Sequence, residues 1–325
     1  MLDSSGTWVG IDVSKRFLDV CIDTSGIPFQ ITNDLAGFGQ LLDRLADQKI
    51  AGIVVEHTGQ YSEAVWCALD DAQYPPSLVH PNHIVHYRKG GHGRAKTDRH
   101  DARVLATFGQ ERRPAVTSRR SQTEQLLRDL VHMRRGLVSA CVAAQQRLRA
   151  RWSETMAAVH TTYLTITRQQ IRLLEQEIQT VIASDPATRD RDALLRSVKG
   201  IGPIRSATII ADLPELGTLD RKKIAMLVGL APIANDSGTL RKPRYIAGGR
   251  GHVRGELVML VRTVRCEPAI RAHRAALLAQ HKRPIVADCA TARWFLTALN
   301  AMVRMGLRWD ELDCARAVEE MPQPA

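Results

Sequence analysis

The chain has 325 residues, of which 44% are hydrophobic, and its 45 Lys and Arg exceed its 34 Asp and Glu to give a net charge of +11. This length predicts two or three domains, and the positive charge favours a polyanionic partner over a merely soluble basic protein. The six cysteines form no CxxC pair, which argues against a zinc ribbon and a disulfide framework. Without a leader peptide or a run of about 20 apolar residues, we expect a cytoplasmic protein with no membrane span.

Residues 1–115 predict an α/β domain in which strands and helices follow the order β-β-β-α-β-α-β-α. Strands are indicated by β-branched or alternating runs, and helices by apolar residues that recur every three or four positions. The predicted elements are strands at 8–13, 17–23 and 28–32, a helix at 35–45, a strand at 53–56, a helix at 61–72, a strand at 77–80 and a helix from Asp98.

Two acids lie three positions apart at the start of the last of these helices. Thr97 is a suitable N-cap, and the i, i+3 spacing puts Asp98 and Asp101 on one helix face. Acids at a helix N-terminus also complement the helix dipole, by about 0.3–1 kcal/mol each, so this pair alone leaves both interpretations open.

Two further acids lie on predicted strands, Asp12 on the first and Glu56 at the end of the fourth. The order of elements and the positions of these acids resemble the ribonuclease H-like fold. Ligands of open α/β sheets bind at the carboxyl ends of strands, where both acids are expected. Each could be an ordinary strand-end residue, but together with Asp98 and Asp101 they predict an Mg²⁺ site.

Six of the eleven histidines lie between His57 and His100. A zinc site at His83 and His86 is the less favoured interpretation, because no cysteines accompany them. Histidines in a basic loop more often contact phosphate or face water.

Residues 116–187 predict a long helical region, either an antiparallel hairpin or a dimerising coiled coil. Apolar residues follow 3-4 spacing from Leu127 to Leu148 and again from Leu164 to Val181, with a break near Trp152. Many arginines lie on this region, and they either contact phosphate or form a solvated helix face.

Residues 188–325 predict a mainly helical domain that opens with a candidate helix-hairpin-helix. Its turn, with Lys199, Gly200 and Gly202, would let backbone N–H groups approach a phosphate, although such a hairpin can also be ordinary packing. Ser237 then follows Asp236 in a basic, glycine-rich stretch that suits a nucleophile attacking phosphate, or simply a surface turn. The basic residues of that stretch are candidates for nucleic-acid binding: Arg241, Lys242, Arg244, Arg250 and Arg254.

These motifs, in this order, resemble the DEDD transposases of the Piv/MooV type, the insertion-sequence recombinases guided by a bridge RNA. The similarity spans roughly residues 7 to 265, weakly in the helical middle, and no motif maps after Cys266. The segments that carry it are GIDVS at 10–14, EHTGQY at 56–61, KTDRHDA at 96–102, GIGP at 200–203, GLAP at 229–232, SG at 237–238 and GRGHVR at 249–254.

The resemblance implies an Mg²⁺ site at Asp12, Glu56, Asp98 and Asp101 in a RuvC-like domain. It also implies that Ser237, in a separate C-terminal domain, attacks a DNA phosphodiester and forms a covalent phosphoserine intermediate. Sites assembled from the domains of different protomers imply a homo-oligomer, a dimer or a tetramer. A noncoding bridge RNA would pair with both target and donor DNA.

Three alternatives remain at the level of sequence. The first is a metal-dependent, structure-specific nuclease in which water replaces Ser237. The second is an actin-like ATPase or sugar kinase, which residues 10–14 allow, although no second glycine-rich phosphate loop follows a strand. The third is a non-enzymatic DNA-binding protein, which leaves the four acids without a function.

Overall fold

The computed structural model describes residues 6–89, 98–147, 153–236, 243–263 and 267–313, with only the backbone of residues 60 and 98–100. The chain divides into an N-terminal unit, residues 1–119, and a C-terminal unit, residues 120–325. None of the helices in these ranges is long and apolar enough to cross a membrane.

The N-terminal unit is a five-stranded mixed sheet covered by helices. Its elements are β1 (Thr7–Val13), β2 (Phe17–Ile22), β3 (Phe29–Thr32), α1 (Leu35–Ala46), β4 (Ile50–Glu56), α2 (Gln60–Asp71), β5 (Ser77–Val79), α3 (Pro81–Lys89) and α4 (Asp98–Arg112). The strand order is β3-β2-β1-β4-β5. Strands β1, β2 and β3 form antiparallel pairs, whereas β4 lies parallel to both β1 and β5.

Each face of this sheet buries its own set of apolar side chains. Val9, Ile11 and Leu18 share one hydrophobic cluster with residues of α1 and α2. Val54 belongs to a second cluster with residues of α3 and α4. Because side chains alternate along a strand, Trp8, Gly10 and Asp12 belong to the face that α4 covers.

A glycine in β1 lets α4 lie directly against the strand. A Cβ atom at Gly10 would lie 2.1 Å from the carbonyl oxygen of Ala102 and 2.4 Å from the nitrogen of Ala106. Further along the helix, a Cβ atom at Gly109 would lie 2.4 Å from the ring of Trp8. Gly10 thus faces Ala102 and Ala106, whereas Trp8, earlier in β1, faces Gly109, later in α4. The helix therefore runs antiparallel to the strand.

The structure places one helix where the sequence analysis expected a loop. His83 and His86 lie on α3, which begins at Pro81 and buries Ile84 and Tyr87. Only two of its nine side chains are buried, so the sequence contains too few apolar residues at helical spacing to indicate this helix.

The C-terminal unit is entirely helical in its described part, apart from one isolated β-bridge. Its elements are α5 (Gln122–Arg147), α6 (Glu154–Ser184), α7 (Pro186–Arg196), α8 (Pro203–Asp212), α9 (Arg221–Val228), α10 (Gly251–Thr263), α11 (Pro268–Ala279), α12 (Pro284–Met305) and a 3₁₀ turn (Trp309–Glu311). Helix α12 has the largest number of buried residues of these helices, and its Phe295 and Leu299 are completely inaccessible.

Helices α5 and α6 form an antiparallel pair. Cys141, late in α5, packs with Leu164, early in α6, whereas Leu127, early in α5, shares a core with Ile178, late in α6. The second of these cores also contains residues from α7 through α12. The long helices therefore pack together with the helices that follow them.

Helices α7 and α8 are joined by the turn that the sequence analysis singled out. Gly200 adopts φ 103°, a conformation that glycine reaches without strain, and its carbonyl accepts a hydrogen bond from Arg205 at 3.1 Å. Ile201 is buried, and Gly202 is the N-cap of α8 before Pro203. The turn thus has a buried anchor, while Gly202 remains exposed.

Candidate active site

A row of polar side chains crosses the sheet face that α4 covers. The antiparallel registers pair Asp12 on β1 with Asp19 on β2, and Asp19 with Gln30 on β3. The parallel register of β1 with β4 brings Glu56 level with Asp12. Because paired residues point to the same side of a sheet, Asp12, Asp19 and Glu56 belong to one row, although these three alone are not close enough together to hold an ion.

Helix α4 brings its first turn to the same end of the sheet. The helix crosses β1 at Gly10 in the antiparallel direction, so its N-terminus extends past Gly10 toward Asp12. Asp98 is the first residue of α4, and Asp101 lies in the same turn. The side chain of Asp98, like Thr97, lies outside the described residues. Sheet and helix therefore converge on one end of the unit with acids from β1, β4 and α4.

Asp101 is buried and forms an ion pair with Arg88, which lies in the last turn of α3. Only 7% of Asp101 is exposed, and its Oδ1 contacts Nη2 of Arg88 without the angles of a hydrogen bond. A buried carboxylate is costly unless a cation compensates its charge. Arg88 supplies that charge in this structure.

The donor set fits a hard divalent cation by its chemistry. Carboxylate oxygens are the ligands that Mg²⁺ prefers, and neighbouring carboxylates repel one another unless a cation lies between them. No three His, Cys, Asp or Glu side chains of the described residues are close enough together to hold an ion. That set lacks the side chain of Asp98, so the site at Asp12, Glu56, Asp98 and Asp101 stays a prediction.

Residues beside the acids anchor α4 to the edge of the sheet. Arg103 on α4 donates a hydrogen bond of 2.9 Å to the carbonyl of Gly26, in the turn between β2 and β3. Burial raises the pKa of the Cys21 thiol on β2, and Arg103 opposes this shift. The Cys21 thiol therefore stays neutral at pH 7, and the Arg103 contacts favour one position of the helix on the sheet.

Asp19, Gln30 and Arg88 lie beside the predicted acids but were not predicted from the sequence. Asp19 is 4% exposed and accepts hydrogen bonds from Nε2 of Gln30 at 3.2 Å. An acid inside a run of apolar strand residues was the available signal for Asp19. No local pattern indicated Arg88, because its contact with Asp101 depends on the packing of α3 against α4.

The predicted nucleophile lies outside the described residues, as do Arg241 and Lys242. The described residues on either side are joined by a β-bridge between Ile233 and Tyr245. Arg244, beside this bridge, is exposed. The role of Ser237 stays a prediction.

Two of the predicted nucleic-acid-binding arginines make internal contacts. Arg250 donates to both carboxylate oxygens of Glu215, at 2.5 and 2.6 Å, and Arg254 donates to the carbonyls of Gly229 and Gly248. Burial works to raise the pKa of Glu215, but the hydrogen bonds and the charge of Arg250, together with a backbone hydrogen bond and the charge of Arg120, hold that pKa below its usual value. Both arginines thus stabilise the loop before α10, and their predicted contact with nucleic acid is untested.

Two family models match most of the chain. Residues 9–156 match the IS110 DEDD transposase domain, and residues 192–275 match the transposase domain of the IS116/IS110/IS902 family. A DEDD domain implies a ribonuclease H-like fold and dependence on a divalent metal, in agreement with the strand order described above.

Curated relatives support the same assignment. The pilin gene-inverting proteins of Moraxella lacunata and Moraxella bovis are each 26% identical to this chain over 272 residues, which cover 78% of this chain and 82% of the relative. The chain therefore belongs to the IS116/IS110/IS902 family of transposases, enzymes that recombine DNA.

Proposed function

We propose that this transposase cleaves and rejoins DNA strands with Mg²⁺ held by Asp12, Glu56, Asp98 and Asp101 and with Ser237 as nucleophile. The observation that carries the proposal is the convergence of acids from β1, β4 and α4 at one end of the sheet. Bound there, Mg²⁺ would stabilise charge that develops on the phosphoryl oxygens. We propose the cytoplasm as the place of this reaction.

In the proposed step, the Oγ atom of Ser237 attacks phosphorus and loses its proton. A phosphorus–oxygen bond of the DNA backbone breaks, and the departing deoxyribose oxygen takes up a proton. The serine ester conserves the phosphodiester energy, so a free DNA hydroxyl can reverse the reaction with another strand. Arg244, exposed beside the Ile233–Tyr245 bridge, is available to neutralise phosphate charge near this segment.

The second candidate is a metal-dependent nuclease in which water attacks the phosphodiester. Hydrolysis leaves ends that need a separate ligase. The relatives are named for inverting a pilin gene, and an inversion requires rejoined strands. This favours the serine ester over hydrolysis.

Thermal unfolding in the presence of Mg²⁺ or Mn²⁺ tests the metal site without relying on activity. A ligand at 100 times its dissociation constant stabilises a protein by about 2.7 kcal/mol, so the N-terminal unit should unfold at a higher temperature. Asp12→Asn should lose this response and DNA cleavage but keep DNA binding. Asp43→Asn, on the exposed side of α1, is the matched control.

A covalent adduct assay tests the nucleophile. Wild type with end-labelled DNA should give a labelled band at protein mass on a denaturing gel, and Ser237→Ala should give none. Thr239→Ala, two positions along the same segment, controls for the change of a hydroxyl residue. Undiminished cleavage by Ser237→Ala would assign the protein to the nuclease class instead.

The turn between α7 and α8 supports the proposed contact with double-stranded DNA. Lys199 and Gly202 are exposed, and a Cβ atom at Gly202 would meet no atom within 4 Å. A phosphate can therefore approach the backbone of the turn. Gly202→Val and Lys199→Gln should weaken DNA binding at all sequences alike, because phosphate contacts carry no base information.

We also propose that a noncoding bridge RNA pairs with target and donor DNA on this protein. The net charge of +11 supports binding to a second polyanion. The protein should copurify with RNA, and nuclease-treated protein should lose recombination until that RNA is restored. Equal recombination before and after nuclease treatment would exclude the guide.

A homo-oligomer is the assembly that we propose, either a dimer or a tetramer. Exposed apolar residues recur at coiled-coil spacing on α6, and more than half of each of Val159, Ile166 and Leu173 is accessible. Light scattering should give a multiple of the 36.1 kDa chain mass. The double variant Val159→Glu/Ile166→Glu should be monomeric, and the exposed, polar Gln169→Glu should leave the assembly intact.

A further inference from the structure

Three helices of the C-terminal unit meet at one buried carboxylate. Asp212, the last residue of α8, has a side chain that is 3% exposed. Its Oδ1 lies 2.7 Å from Nε2 of His132 on α5, and its Oδ2 lies 3.2 Å from Nε2 of His252 on α10. Arg135 on α5 also donates to Oδ2. We call these four residues the Asp212 cluster.

The three outer side chains of the cluster face solvent. His132, Arg135 and His252 are 40%, 38% and 39% exposed. In the described part of the chain, Nδ1 of both histidines and Nη1 of Arg135 have no hydrogen-bond partner. The Asp212 carboxylate thus orients all three groups. It leaves the Nη1 donor of Arg135 on the solvent side, and the Nδ1 atom of each histidine becomes a donor there once its ring is protonated. Oriented cationic donors of this kind bind phosphate oxygens well.

The charge of this surface depends on the two histidines. The negative charge of Asp212 and the positive charge of Arg135 cancel, and the charge of the nearby Arg250 is balanced by that of Glu215. With neutral imidazoles the cluster has no net charge, and each proton taken up by a ring adds one positive charge. The buried carboxylate repels an approaching anion little, because the three outer side chains lie in front of it.

Burial lowers the pKa of His252 below its usual value. Asp212 opposes this shift, whereas Arg135, His132 and Arg250 add to it. His252 is therefore largely neutral at pH 7 in the free protein. An anion beside the ring stabilises the imidazolium and raises its pKa, so binding takes up a proton and tightens as the pH falls.

We propose that the Asp212 cluster is a contact site for a backbone phosphate of nucleic acid, and that the contact forms when His252 is protonated. The proposal rests on the proposed function, because the recombining DNA or its guide RNA supplies the phosphate. Phosphodiester is the shared chemistry, and separate binding assays distinguish the two sources.

The test measures binding of the full chain to a labelled DNA duplex and, separately, to an RNA hairpin with the same number of phosphates. Affinities are compared between pH 8 and pH 6 at constant ionic strength. Wild type should bind DNA, RNA or both about tenfold more tightly at pH 6. The double variant His132→Gln/His252→Gln should lose this gain, and its salt dependence should fall by about one phosphate contact.

His281→Asn is the matched control, since His281 is exposed and its positive φ of 57° suits asparagine. It should retain the full pH dependence. If the double variant does not fold, the single variant His252→Gln replaces it, because His252 lies at the protein surface. Titration of the His252 ring by NMR should also show its pKa rising when nucleic acid binds.

The two possible failures are distinguishable. If wild type binds neither DNA nor RNA, the proposed function is wrong, and so is the phosphate site at the Asp212 cluster. If wild type binds but the histidine variants keep its pH dependence, or the His252 pKa does not change on binding, only the phosphate site is wrong. A gain for DNA alone assigns the contact to DNA, and a gain for RNA alone assigns it to the guide.

Discussion

Both units pair a buried acid with arginine, Asp101 with Arg88 and Asp288 with Arg262 and Arg274, but among the described residues only the sheet of the N-terminal unit also sets acids beside one another. In the C-terminal unit, buried Asp288 accepts hydrogen bonds from Arg262 and Arg274, both at 2.7 Å. In the N-terminal unit, the sheet register instead sets Asp12 beside Asp19. Opposite charges in contact stabilise a fold, whereas two neighbouring carboxylates are stabilised further by any cation that binds beside both. The difference indicates that acids of the first kind stabilise the protein, while those of the second kind suit a bound cation.

Small residues are what allow the acids of the N-terminal unit to converge. Gly10 lets α4 approach β1, and any larger side chain would meet the backbone of Ala102 and Ala106. The C-terminal unit has no sheet in its described part and packs long helices around α12. The candidate metal site therefore depends on one strand–helix contact, and the ion pairs of the other unit do not.

The largest effect is expected from Gly10→Val, which should destabilise the N-terminal unit and leave the stability of the C-terminal unit unchanged. Its side chain would displace α4, and a clash with backbone atoms costs at least about 3 kcal/mol. Calorimetry should show loss of the N-terminal unfolding transition and retention of the other. Gly39→Ala, on α1 with open space around it, should be neutral or stabilising by up to about 1 kcal/mol.

Asp288→Asn should destabilise the C-terminal unit by about 2–3 kcal/mol at pH 7, because both arginines lose their anion but stay partly exposed. Burial works to raise the pKa of Asp288, but Arg274 and Arg262 outweigh it and hold the pKa below its usual value. Wild type therefore has this stabilisation above about pH 4 and loses it as the pH falls through the lower folded-state pKa.

Urea unfolding of wild type and Asp288→Asn between pH 7 and pH 2 measures this difference. The two stabilities should approach each other at the acid end. A constant difference over the whole range would mean that the ion pairs contribute nothing and that the variant acts through packing.

Asp19→Asn tests whether the acid beside Asp12 contributes to metal binding. Removing one negative charge next to the site should weaken Mg²⁺ binding about three- to tenfold, or roughly 1 kcal/mol. Asparagine keeps an oxygen that can accept from Gln30, so the fold should be preserved. The midpoint of the Mg²⁺-dependent thermal shift gives the measurement. An unchanged midpoint would make Asp19 a structural residue only.

The smallest effect is expected from Arg205→Met in the turn between α7 and α8. The variant removes the hydrogen bond to the Gly200 carbonyl, which is worth about 0.5–1.5 kcal/mol. Chemical denaturation should show a lower free energy of unfolding for the C-terminal unit. The Mg²⁺-dependent thermal shift of the N-terminal unit should be unchanged. A reduced Mg²⁺ response would contradict the assignment of the metal site to the other unit.

Local pattern was sufficient for much of this protein. β-Branched, apolar or alternating runs predicted the five strands, and helical spacing predicted the helix that begins at Asp98. Asp12 and Glu56 were predicted as metal ligands because of their places on the first and fourth predicted strands, and that role stays a prediction. These signals involve residues that lie within a few positions of one another, where backbone geometry alone determines which side chains are neighbours.

Tertiary structure decided the contacts between distant segments. The pairing of Asp12 with Asp19 depends on strand register, and a shift of one residue would turn either side chain to the opposite face. The Asp212 cluster joins His132 and His252, which are 120 positions apart, through the packing of three helices. Periodicity reports which face of a helix is buried but not which other helix covers it, so only the folded chain reveals such a cluster.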